Sequence, residues 1–60
     1  MDALKISEYA RALHASHGDR AEAEAAQKER ACDEAGKAAE AETWRKIRAA
    51  IHELRGPHQG

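Results

Sequence analysis

At 60 residues, 35% of them charged and with a net charge of −1, the chain makes one domain at most and lacks the basic excess of a nucleic-acid-coating protein. A single Cys excludes an internal disulfide. The N-terminus lacks the basic-then-apolar pattern of a secretory signal, and no apolar run reaches membrane-spanning length, so a soluble protein of a reducing, cytoplasmic compartment is expected.

Fifteen of the residues counted as hydrophobic are Ala, which leaves Met1, Leu4, Ile6, Tyr9, Leu13, Cys32, Trp44, Ile47, Ile51 and Leu54 to build a core. So few large side chains put an isolated copy near the edge of stability and make a partner the expected remedy. The charge is polarised: residues 1–18 are neutral, 19–42 carry −4 and 43–60 carry +3.

The first apolar set, Ile6, Tyr9, Ala10 and Leu13 with His17 a turn later, traces one helical stripe and predicts a helix over about 3–16. Asp2 is its expected cap, and Gly18 in "HGD" supplies the turn that ends it. Asp19 with Glu22 three residues on reads as a capping box opening a second helix, about 20–35. That helix is almost wholly Ala, Glu, Gln, Lys and Arg, the best helix formers. Ala21, Ala25, Cys32 and Ala35, with Lys28 between them, form its expected buried stripe, smooth enough for another helix to approach closely. Gly36 then reads as a stop and short turn rather than a residue inside one long rod. Ala41, Trp44, Ile47, Ile51 and Leu54 form the clearest apolar seam, on a third helix over about 39–55 that ends at "RGP". Residues 57–60 read as a flexible tail beyond a single helical module over 1–56.

The fold expected is therefore all-α: a small three-helix module in which helices two and three make an antiparallel hairpin. The segment from Ala12 to Leu54, with its His17-Gly18 turn, Ala-rich helix, Gly36 turn and Trp44, Ile47, Ala50, Ile51, Leu54 pattern, is similar to an uncharacterised group of short bacterial helical proteins. That resemblance implies a fold and no activity. "EAGKAAEAETWRKI" also resembles a tetratricopeptide helix pair, without the Trp, Leu-Gly and Tyr pattern of that repeat's first helix.

The chemistry-bearing residues are few. His14 and His17 sit three apart, and Cys32 and His52 could join them only through folding. Zinc signatures pair close ligands twice, whereas only one close pair occurs here, so no metal is expected. Cys32 lies beside Asp33 and Glu34, which disfavour a thiolate, so a small core residue is the better reading than a nucleophile. Phosphate loops, Ser-His-Asp sets and HExxH are absent, and neither an enzyme, a cofactor nor a small-molecule substrate is expected. Arg45, Arg48, His52 and Arg55 recur along one face as a basic stripe, suited either to the acidic second helix or to nucleic-acid phosphates. With only two aromatic residues, a base-stacking platform is missing. The reading is a non-enzymatic interaction module, either a homo-oligomer, most simply a dimer, or an accessory subunit of a larger assembly. Its expected interface is Tyr9, Leu13, Trp44, Ile47, Ile51 and Leu54; the alternative is a small nucleic-acid-associated regulator using the basic stripe.

Overall fold

The computed structural model of the chain describes residues 2–56, so Met1 and the tail expected over 57–60 lie outside the described residues. Three helices follow one another: α1 (Ala3–His17), α2 (Arg20–Glu34) and α3 (Ala38–Leu54). Each bound falls within one residue of the stretch its periodicity marks out. α2 and α3 pack most extensively, α1 next against α3, and α1 least against α2.

Local chemistry sets the ends. Asp2 is extended, and its carboxylate accepts from the backbone N–H of Lys5 at 2.9 Å, closing the first turn of α1 as a cap should. The N–H of Gly18 donates to His14 O at 2.8 Å, with φ at 60° carrying the chain out of the helix. The capping box at Asp19 does not form. Asp19 is itself already helical (φ −64°, ψ −16°) and makes no side-chain cap bond; an N-cap needs an extended backbone to bring its carboxylate over the third N–H. Gly18 O instead receives the N–H of Ala21 at 3.1 Å, so the turn starts one residue early.

Between α2 and α3 the chain stops and restarts. The N–H of Lys37 donates to Cys32 O at 2.8 Å and that of Gly36 to Asp33 O at 3.1 Å. This nested pair is the Schellman arrangement, which requires a positive φ at its penultimate residue. Gly36 meets that requirement with φ 78°.

The buried core is small: Ile6, Ala10, Ala21, Ala25, Ala41, Ile47 and Ile51. All but Ala41 form one cluster, onto which Leu13, Trp44 and Ala50 pack half-buried. The stripe expected on α2 is correct in its first half alone. Ala21 and Ala25 are fully covered, whereas Lys28 and Ala35 are exposed and Cys32 is half-buried. At 3.6 residues per turn the face that meets α3 drifts from Ala25 to Glu29 rather than to Lys28, and Glu29 is indeed half-buried.

Candidate functional site

Close approach by Ala decides what becomes of the α3 seam. With no side chain beyond Cβ at Ala10, Ala21 and Ala25, the helix backbones cover Ile47 and Ile51 completely, to 1% and 0% exposure. These two expected interface residues therefore belong to the chain's own core. Leu13 and Trp44 are half-buried beside them. Leu54, the last residue of α3, lies 42% exposed and outside the cluster.

Tyr9 is also 42% exposed. Its ring meets that of Trp44 edge to face, with centroids 5.7 Å apart and planes at 84°, the geometry that matches a ring's positive edge to its neighbour's negative face. Beside this pair runs an open groove along the α1–α3 seam, lined by Tyr9, Glu40, Thr43, Trp44 and Ile47.

The basic stripe closes the other side of α3. Glu29 takes Arg48 at 3.0 Å and Arg45 at 3.3 Å, and Arg45 also reaches Glu42 at 2.5 Å. One helical turn pair further along, Glu22 takes Arg55 at 2.7 Å and His52 at 3.2 Å. All four stripe residues thus hold carboxylates of their own chain. The Arg55 hydrogen bond, with His52 adding to it, holds the Glu22 carboxyl below its ordinary range against the opposing effect of burial. The bond to Glu29, reinforced by the charge of Glu42, raises the Arg45 guanidinium. Sequence reasoning saw an acidic second helix, but it gave Glu22 to a capping box and did not name Glu29. The signal was present: Glu22 and Glu29 are seven apart on α2, as Arg48 and Arg55 are on α3, which is the register of an antiparallel pair.

The groups considered for metal are drawn to separate places. His17 pairs with Glu24, His52 with Glu22, and the Cys32 thiol stands 3.8 Å from Glu40; His14 is half-buried on α1. Among the described residues no three His, Cys, Asp or Glu side chains converge as metal ligands would, and no helix among them is long and apolar enough to cross a membrane. No protein-family model, curated protein or solved structure matches the chain.

Proposed function

We propose that the chain is a non-enzymatic protein–protein interaction module that works through the open side of the α1–α3 seam, with a second copy of itself as first partner. The observation carrying this reading is the make-up of the core: four of its seven buried residues are Ala, while Tyr9 stays 42% exposed and Trp44 is only partly covered. A domain this small gains little from such a core, and covering the remaining aromatic surface is the direct way to stabilise it. A two-fold contact would set each seam against its own copy. A larger assembly, with this chain as accessory subunit, would use the same surface. The cytoplasmic setting proposed for it suits a free thiol at Cys32.

The nucleic-acid alternative has less behind it. Arg45, Arg48 and Arg55 already hold Glu22, Glu29 and Glu42, so phosphate would have to displace carboxylates fixed on the same molecule. Retention on heparin at moderate salt would revive it. Sedimentation over about a hundredfold range of concentration tests the main reading, since a self-associating protein gains mass and thermal stability together as concentration rises. A folded species of 6.6 kDa throughout that range would refute self-association.

A further inference from the structure

We infer that the α1–α3 groove receives an arginine side chain of the partner protein; the inference rests on the interaction surface proposed above and names what that surface selects. The open groove offers about 290 Å³, room for a guanidinium and part of its stem. Two of its walls are aromatic, Tyr9 and Trp44, set nearly at right angles. Ring faces attract cations, and a guanidinium, being planar and weakly hydrated, stacks on them better than an ammonium does. The exposed part of the Tyr9 ring, 42% open, leaves apolar surface for the stem.

Glu40 turns this apolar groove into a selective one. Glu29 holds Arg45 and Arg48, and Glu22 holds Arg55 and His52, whereas Glu40 enters no ion pair among the described residues. Its polar neighbour is the Cys32 thiol at 3.8 Å, a weak donor. A place in the first turn of α3 suits a carboxylate on account of the helix dipole, but that does not account for its lining a groove with the chain's one Tyr and one Trp. A neutral apolar side chain docking here would strip water from Glu40 and return nothing. An arginine would return a forked, charge-assisted pair while its plane lies against a ring.

The test uses the intact chain, dilute enough to be monomeric, titrated with an acetylated, amidated Ala-based peptide carrying one arginine. The same peptide with citrulline, which keeps the shape and loses the charge, is the comparison. The expected result is saturable movement of the Tyr9 and Trp44 ring signals in NMR spectra, with citrulline binding weaker by about fivefold. Glu40→Gln should erase that difference while leaving helix content unchanged. Tyr9→Leu, which keeps apolar bulk and removes a ring face, should reduce it. Equal binding of the two peptides, or no movement of either ring at millimolar peptide, would overturn the inference. Self-association is read separately by sedimentation. A dimer indifferent to arginine would sink this inference alone, and a strict monomer that prefers arginine would sink self-association alone.

Discussion

The two flanks of α3 are built on different principles. Toward α2 it meets Ala21 and Ala25, and the rim is closed by Glu22 and Glu29 reaching Arg55, His52, Arg48 and Arg45. Toward α1 it shares a core with Ile6, Ala10 and Leu13, but the edge-to-face pair of Tyr9 and Trp44 borders that core with Tyr9 exposed. The first flank is complete: small residues bring the backbones together and long charged ones seal the edge. The second is unfinished, because Tyr9 and Trp44 are too large for their surroundings to enclose. A helix pair that closes on itself needs small residues and matched charges; large aromatic residues at its border leave something for another molecule to cover.

Cutting into the finished flank should do most damage. Ile51→Ala removes a fully buried side chain and should cost about 2–5 kcal/mol, a large part of the roughly 5–15 kcal/mol that folded domains possess; a lost or greatly lowered thermal transition would register it. Trp44→Ala on the open flank should cost less, about 2 kcal/mol in urea denaturation, since that side chain is only partly buried. A Trp44 loss exceeding that of Ile51 would invert the comparison. Leu54→Ala, outside both flanks, should change stability by less than about 0.5 kcal/mol.

Gly36→Ala probes the turn that joins α2 to α3. A Cβ there would meet nothing within 4 Å, so the cost is that of the positive φ alone, about 1 kcal/mol of destabilisation. A rise in melting temperature would mean that α2 and α3 run on as one helix. A small effect, confined to acid pH, is expected from Glu22→Gln. The Glu22 carboxyl is held below its ordinary value. Its contribution is therefore present above the unfolded value of about 4.3 and lost as pH falls through the folded one. Glu22→Gln should flatten the acid side of the stability profile by less than about 1 kcal/mol. An unchanged acid slope would mean that the rim pairs do not seal the flank.

Helix number, extent and the α2–α3 hairpin were legible because local chemistry and pattern agree. Asp2, Gly18 and Gly36 stand at the ends of the periodic segments, and each acts where it stands. Asp19 misled because the same letters fit a cap or a first helical turn, and the choice rests on the dihedrals of the preceding Gly. Lys28 and Ala35 were placed on the wrong face because an all-Ala-and-charge helix carries no large residue to mark its inward side. For the candidate site, Trp44 and Tyr9 were visible as the chain's aromatic residues, but their meeting depends on how α1 crosses α3. Glu40 was invisible for a like reason: one Glu among many gains meaning only from what lies beside it.

The pairing of Tyr9 with Trp44 also makes the protein its own optical gauge. Each is the only residue of its kind in the chain, and their rings stand 5.7 Å apart across the junction of α1 and α3. Light absorbed by the phenol will pass to the indole while α1 is seated, and tyrosine emission will return when it lifts away. Since α1 is joined to the hairpin mainly through this flank, α1 could detach before the hairpin melts, as local opening does in larger proteins. Tyrosine emission that recovers before far-ultraviolet ellipticity falls would separate those two events; coincident curves would make the three helices one cooperative unit.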